Sequence, residues 1–355
     1  MKDVSGVWNG QTIGIDLGDK QSHMCVLDEA GTEIELSRIA TTRRALTSRF
    51  HGLARARVVI ETGTHTNWVG EVLAECGHEV VVANARRVRA ISTNDRKDDR
   101  ADARLLARLG RVDTNLLFPI TPRDREHRCD LSLVRTRAAL VAARTELINH
   151  VRGTLKSAGH RLPSCSSESF HKRTLPDELA SILRPVCCVI GELTDKIGNL
   201  DERIEALCEL KYPQTKLLRQ VTGVGPITSL CFLLTVGDVR RFKSPRAIGS
   251  YLGLTPRRHS SGESAPELRI TKAGDTMLRT LLVQGAHHVL GPRRPDSDLR
   301  RFGTRLAGRG GKNAKKKAVV ATARKLAQVL FALLRTGEVY EPLRNHPGAQ
   351  LSESA

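Results

Sequence analysis

Apolar and polar residues follow two different rhythms along this chain. From residue 11 to 85 the apolar runs are short and rich in β-branched residues. "TIGIDLG" stops at Gly18, and "SHMCVLDEAG" and "TEIELSRIA" follow with turn residues between them, which predicts three strands in a meander. Residues 42 to 54 read as a helix. "ARVVIETG" (56 to 63) is nearly all apolar until Glu61, as expected of a strand buried on both faces. "HTNWVGEVLAECG" (65 to 77) predicts a helix with a glycine stop, and "HEVVVANA" (78 to 85) a further strand. Three strands, helix, strand, helix, strand describe an α/β domain.

Beyond about residue 120 the period becomes helical. "PRDREHRCDLSLVRTRAALVAARTELINHVRGTLKSAG" predicts one long amphipathic helix ending near Gly159. "SSESFHKRTLPDE" (166 to 178) is a polar interruption, and residues 180 to 210 predict a second long helix with a candidate break at Pro185. Two long helices joined by a polar connection suggest a coiled-coil hairpin or dimerisation arm; an ordinary helical subdomain fits equally. Residues 213 to 345 form a third, helical region with Gly, Arg and Lys in its loops. "NHPGAQLSESA" is expected to fray.

Charge changes the picture. The chain has 355 residues, with 57 Lys plus Arg against 38 Asp plus Glu, a net +19. The expected partners are polyanions. A membrane is the weakest of these, because no apolar run approaches the roughly 18 residues needed to span one. The start, "MKDVSGVWNG", has no apolar core of a secretion signal. Eight cysteines form no CxxC pair and sit mostly in apolar surroundings, so free thiols in a reducing cytoplasm are expected. Aromatic residues are only 3%, too few for extensive base stacking; a nucleic acid would be held mainly by its backbone charge.

Against that basic background, "NDRKDDRADARLLARL" (94 to 109) concentrates acid where a helix begins. Asp16 ends the first strand and Glu61 the fourth, and strand ends are where open α/β sheets build sites. Asp99 and Asp102 are three apart and share a helical face. Each has an ordinary explanation: Asp98 or Asp99 as a cap, Asp16 as a turn residue, Glu61 as an arginine's partner. A cap does not explain Asp102, since like charges at that spacing repel. Together the four carboxylates suit a hard cation, magnesium or manganese. Two such ions about 3.5 to 4 Å apart stabilise the attacking and leaving oxygens of a phosphodiester displacement. "IGIDLG" also matches the first phosphate loop of actin-like sugar kinases, but the DxGTG-type turn and adenosine loop of that fold are not found.

At these residues the chain resembles the DEDD-type transposases of bacterial insertion sequences and the related Piv-like DNA invertases. The matching elements are "IGIDLGDKQ", "VVIETGTHTNWVGEVLAECGHEVVVANARRVRAIS", "RKDDRADARLLARL", "LLRQVTGVGPITSLCFLLTVGDVRRFKSPRAIGSYLGLTPRRHSSGES", "RITKAGDTMLRTLLVQGA" and "RKLAQVLFALLRTG". The resemblance implies an α/β plus α protein. A RuvC-like (ribonuclease H-like) domain would occupy residues 8 to 120 and a long helical arm 121 to 211. A mainly helical C-terminal domain would occupy 212 to 340, before a tail at 341 to 355. It implies Asp16, Glu61, Asp99 and Asp102 as metal-binding acids, the spacing to Asp102 choosing Asp99 over Asp98. It implies Ser261, in "SSG", as a nucleophile toward DNA, with Ser260 and Ser264 close enough to be confused with it. Glu263 and Glu267 make that loop less basic than expected.

"VTGVGPITS" (221 to 229) resembles a helix-hairpin-helix turn in which Gly223 and Gly225 let backbone N–H groups approach a phosphate. A plain tight turn is the bland alternative. Arg257, Arg258, Lys272, Lys312, Lys315, Lys316 and Lys317 are candidate phosphate contacts. The expected protein is a transposase or recombinase using Mg2+, or Mn2+, and a serine–DNA link. Its acid and serine domains would meet as a composite site in a dimer or tetramer. Its expected partners are DNA and a structured guide RNA, and its expected place the bacterial cytoplasm, on the nucleoid. The alternatives are a RuvC-like junction nuclease using water, and a non-catalytic nucleic-acid-binding protein.

Overall fold

The computed structural model describes residues 10–88, 98–257 and 268–345. The chain forms two compact units, Met1–Arg123 and Asp124–Ala355.

In the first unit, β1 (Thr12–Asp16), β2 (Gln21–Leu27) and β3 (Glu33–Ala40) run antiparallel, while β4 (Arg57–Glu61) and β5 (Glu79–Ala83) lie parallel to β1. The order across the sheet is β3-β2-β1-β4-β5. Alternation along each strand sends side chains to opposite faces. Ile13, Ile15, Met24, Val26, Val58 and Ile60 pack on one face with Leu46 and Phe50 of α1 (Arg43–Phe50) and Val69, Val72 and Leu73 of α2 (Thr66–Glu75). Cys25, Leu27 and Val59 point to the other face, which α3 (Asp99–Val112) covers. This double burial explains why β1 and β4 are apolar almost throughout.

Helix α3 lies unusually close to the sheet. A Cβ on Gly14 would sit 2.2 Å from the Ala103 carbonyl oxygen and 2.4 Å from the Ala107 nitrogen. A Cβ on Gly110 would sit 2.2 Å from Val59 Cγ2. The helix turns Asp102, Ala103, Leu106, Ala107 and Gly110 inward, a stripe of small residues with one leucine and, at its start, a carboxylate. Arg104 ties the helix sideways to β3, donating to both carboxylate oxygens of Glu33 at 2.8 and 3.0 Å.

The second unit is helical. α4 (Arg125–Ser157) and α5 (Asp177–Leu210) pair as a long hairpin, and short α6 (Thr215–Arg219) follows. α7 (Pro226–Val236), α8 (Pro245–Tyr251), α9 (Thr276–Leu290), α10 (Asp298–Ala307) and α11 (Ala314–Thr336) complete it. At the base of the hairpin, Leu131, Val134, Ile204 and Cys208 join the core of the C-terminal helices, which includes Phe232, Leu282 and Phe331. The arm and the C-terminal helices thus share one core.

Two sequence expectations for the arm are corrected. α5 is continuous through Pro185. Proline leaves the carbonyl four residues earlier without its helical partner; here that residue, Ser181, and Pro185 itself are both exposed, so water can serve the freed group. The 166 to 178 connection is not merely polar. Its Phe170 is fully buried with Ile148, Val151 and Ile190, and its Glu168 accepts from the buried guanidinium of Arg144 at 3.2 Å.

Two outcomes follow for stability. Gly14→Ala should destabilise the protein by about 1 to 3 kcal/mol, the usual cost of overpacking, whereas Gly153→Ala, on a helix position with open space, should stabilise it by roughly 0.5 to 1 kcal/mol; urea melts of both measure this. The Arg104 hydrogen bonds hold the Glu33 carboxyl below its usual range. A depressed carboxyl stabilises the fold above its unfolded value and loses that contribution as pH falls through the folded value. The stability advantage of wild type over Glu33→Gln should therefore be full at pH 7 and shrink below about pH 4.3.

Candidate active site

The C-terminal ends of β1 and β4 lie side by side, since Ile15 pairs with Ile60 in the parallel register and Asp16 and Glu61 are the next residues. The loop after Glu61 is tightly tied. Thr66 Oγ1 donates to the Glu61 carbonyl at 2.6 Å and accepts from the Gly63 N–H at 2.6 Å. Trp68 Nε1 donates to His65 Nδ1 at 3.1 Å, so His65 donates through Nε2 to Asp19 at 3.3 Å. The loops that follow Asp16 and Glu61 are thereby braced against one another.

Helix α3 brings the other two acids. Asp98 is its N-cap and accepts from the Arg100 N–H at 3.1 Å, whereas Asp99 is its first helical residue. Adjacent in sequence, the two aspartates do different work: one closes the helix and the other approaches the sheet. Carboxylate oxygens of Asp16 and Asp99 and a ring nitrogen of His23 all lie within 4.8 Å of one another. Glu61, on the neighbouring strand end, and Asp102, one turn along α3, are outside that mutually close set. Asp102 is only 7% exposed. A carboxylate on a stripe otherwise made of Ala, Leu and Gly is costly to bury and adds nothing to packing.

His23 was not among the sequence candidates. It faces Asp16 across the antiparallel β1–β2 ladder, and its Nδ1 is 3.7 Å from Asp99 Oδ2. The signal was the short turn after "GIDLG": once both strands are drawn, pairing places residue 23 opposite residue 16.

The donor set fits a hard divalent cation. Carboxylate oxygens from a strand end and a helix start converge, with Glu61 on the neighbouring strand end and Asp102 on the same helix. No soft thiolate joins them among the described residues.

In the second unit, Gly223 has φ +86° and packs against α9, where a Cβ would meet the Gly285 carbonyl at 2.7 Å. The side of Gly223 where a side chain would stand is thus occupied by a helix. Gly225, the N-cap of α7, has open space where a Cβ would stand. Ser261 and Arg258 lie outside the described residues, as do Ser260, Ser264, Glu263 and Glu267. The backbone flanking them forms a two-stranded stem. Pro256 bridges Ile270, and Arg257 N–H donates to the Arg269 carbonyl at 3.0 Å. Arg279 clasps the stem's base through the carbonyls of Leu252, at 3.2 Å, and Ala273, at 2.9 Å. Arg257 and Lys272 are exposed on this stem, Lys272 with φ +54°. Lys312, Lys315, Lys316 and Lys317 are exposed where α11 begins. No helix among the described residues is long and apolar enough to cross a membrane.

Comparison with known proteins covers the same regions. Residues 13–159 match the family described as a transposase, of the DEDD, IS110 type. Residues 215–302 match the transposase IS116/IS110/IS902 family. The transposase for insertion sequence element IS1111A of Coxiella burnetii is 29% identical over 96% of this chain and 92% of its own. A Sinorhizobium fredii protein carrying the transposase name y4pF/y4sB is 30% identical over 93% of this chain and 86% of its own. The pilin gene-inverting protein of Moraxella lacunata is 32% identical over 43% of this chain and 47% of its own. With both halves matched in order and full-length relatives at this level, the chain belongs to the IS110-type family of DEDD insertion-sequence transposases.

Proposed function

We propose that this protein cuts and rejoins DNA strands at the ends of its insertion sequence, using a metal-dependent acid site and a serine nucleophile. The observation that carries the proposal is the convergence of Asp16 and Asp99 from separate elements, with Glu61 and Asp102 beside them. The strand order, three antiparallel strands extended by two parallel ones, supports reading this unit as RuvC-like.

Asp16, Glu61, Asp99 and Asp102 would hold Mg2+, or Mn2+. The bound metal supplies charge stabilisation for oxygens on the scissile phosphorus. The chain's own residues supply the rest. Ser261 Oγ bonds to phosphorus while the bond to the leaving strand oxygen breaks and that oxygen takes up a proton. The resulting serine–DNA ester preserves one phosphodiester linkage, so attack by a strand hydroxyl releases Ser261 and rejoins DNA without an external energy source. Arg257, Arg258 and Lys272 would bind phosphates, as would the Gly225 turn; Gly223 packs that turn against the neighbouring helix.

The lysines of α11 have a physical argument of their own. Lys315, Lys316 and Lys317 stand in the first turn of a helix with no acid there and no side-chain cap from Asn313. Cations oppose the dipole at a helix N-terminus. Their placement works against the isolated helix and favours a bound anion. A nucleic-acid backbone would meet Lys315 and Lys316 with opposite charge and suit the positive end of the helix dipole. The +19 charge and sparse aromatics suit a structured RNA as a second partner as well as DNA. The α4–α5 hairpin would serve subunit assembly.

The direct test is strand cleavage by purified protein with Mg2+, element-end DNA and any RNA that copurifies, run on denaturing gels with and without proteinase. Wild type should give a proteinase-sensitive protein–DNA adduct, and Asp16→Asn and Ser261→Ala should give neither adduct nor product. Cleavage by Ser261→Ala without an adduct would establish a water-using nuclease instead. Replacing Lys312, Lys315 and Lys316 by alanine should lower the slope of log affinity against log salt by about 2 to 3. It should leave the melting temperature unchanged or slightly higher, because the unfavourable helix-end charges are removed.

A further inference from the structure

Asp99 is the least enclosed of the close cluster. Its side chain is 55% exposed, and it stands at the first position of α3, where the helix backbone does not fix a side-chain direction. Held only by solvent, that carboxylate would sample several rotamers, most of them facing away from Asp16. The group beside it is His23, whose side chain is 13% exposed and whose backbone is fixed by pairing with Asp16.

The chemistry of the imidazole follows from its second nitrogen. Arg38, across the β2–β3 ladder, donates its Nε–H to His23 Nε2 at 3.0 Å. Arginine is always a donor, so Nε2 is the acceptor, and the neutral ring carries its proton on Nδ1. That nitrogen is the one directed at Asp99 Oδ2, 3.7 Å away. This separation is an electrostatic contact, longer than a hydrogen bond. A metal-ligating histidine has the reverse arrangement: one nitrogen bare toward the metal, the other donating to a carboxylate or carbonyl. Here the outer nitrogen faces a donor and the inner one bears the hydrogen.

We propose that His23 is a positioning residue of the acid site: its Nδ1–H holds the Asp99 carboxylate toward Asp16, and Arg38 sets the tautomer that makes it a donor rather than a ligand. The proposal rests on the reading of these acids as a metal site. It assigns a division of labour in which oxygen atoms alone meet the cation and the β-meander orients the carboxylate that arrives from the helix.

The test is calorimetric titration of the full-length protein with MnCl2, with melting curves for every variant. His23→Ala should weaken Mn2+ binding about tenfold, the low end for loss of an orienting partner. His23→Asn places an amide N–H near the Nδ1 position and should retain affinity within about threefold of wild type. Equal losses in the two variants would mean that the ring itself is a ligand and would overturn the proposal. An unchanged His23→Ala beside a dead Asp16→Asn would overturn the His23 role and leave the metal site standing. An unchanged Asp16→Asn would remove both. A second measurement does not depend on how well His23→Ala folds: 15N shifts of the His23 ring, assigned by comparison with His23→Asn. The Nδ1–H tautomer should persist when MgCl2 is added. A switch to Nε2–H on addition would show Nδ1 taking the metal and would contradict the proposal.

Discussion

The first unit depends on how closely α3 lies against β1. The contact at Gly14 is backbone to backbone, with Ala103 and Ala107 on the helix and no side chain between, and further along the helix Gly110 lets the Val59 side chain pack directly on its backbone. Helices on sheets ordinarily stand off by the length of interleaved side chains; with glycine and alanine at the crossing, that spacing shrinks. The consequence is felt at the helix start. Asp99 and Asp102 lie one turn or less before Ala103, so their distance from the end of β1 is set by the Gly14 contact. A bulkier crossing would still make a three-layer α/β unit, and its core would still be apolar. It would hold the helix acids away from Asp16. The small residues trade buried area for position, and the sideways tie from Arg104 to Glu33 compensates by fixing the helix where apolar contact is thin.

The same trade recurs in the helical unit. Gly223 and Gly285 bring the turn before α7 against α9 with backbone atoms in contact, and Gly253 and Gly274 do so at the stem. Each of these positions gives up side-chain packing, and a glycine with positive φ also costs backbone entropy. What they have in common is location beside a segment whose geometry matters: the turn ahead of Gly225 and the stem that leads toward Ser261. The apolar bulk sits elsewhere, in Phe232, Leu282, Leu326 and Phe331. Stability is concentrated in the body, and the close-packed glycines serve placement.

How far the sequence revealed this depends on the range of the interaction. The five strands and the helices between them were legible because each is a local pattern: an apolar run, a glycine stop, a change of period. The resemblance, through its spacing to Asp102, chose Asp99 over Asp98, and Asp98 is the residue that caps α3. What escaped was non-local. His23 matters through its partner across a hairpin, and neither it nor Arg38 carries a mark of its own. The close packing of Gly223 was also hidden, because the helix it meets at Gly285 lies more than 60 residues later. Phe170 was hidden among serines and charges, and a single aromatic in a polar stretch gives no periodic signal. Pro185 misled in the opposite way, since its cost depends on whether the freed carbonyl meets water, which composition does not tell.

The electrostatic design has the same non-local character. A net charge of +19 favours polyanions through a long-range term that carries no sequence preference. Local negative charge must therefore be protected from the protein's own arginines if it is to serve a cation. Around the acid site this is done by giving arginines other work. Arg104, on the helix that carries Asp99 and Asp102, is committed to Glu33, and Arg38 to a histidine. The Arg38 contact is the informative one. An arginine placed beside an aspartate cluster would normally pair with it directly and neutralise it. With His23 interposed, the guanidinium meets the imidazole rather than an aspartate, and the ring's other nitrogen lies 3.7 Å from Asp99. A basic protein can thus carry an acid site within a few ångströms of its own cations, provided that each cation has a nearer partner.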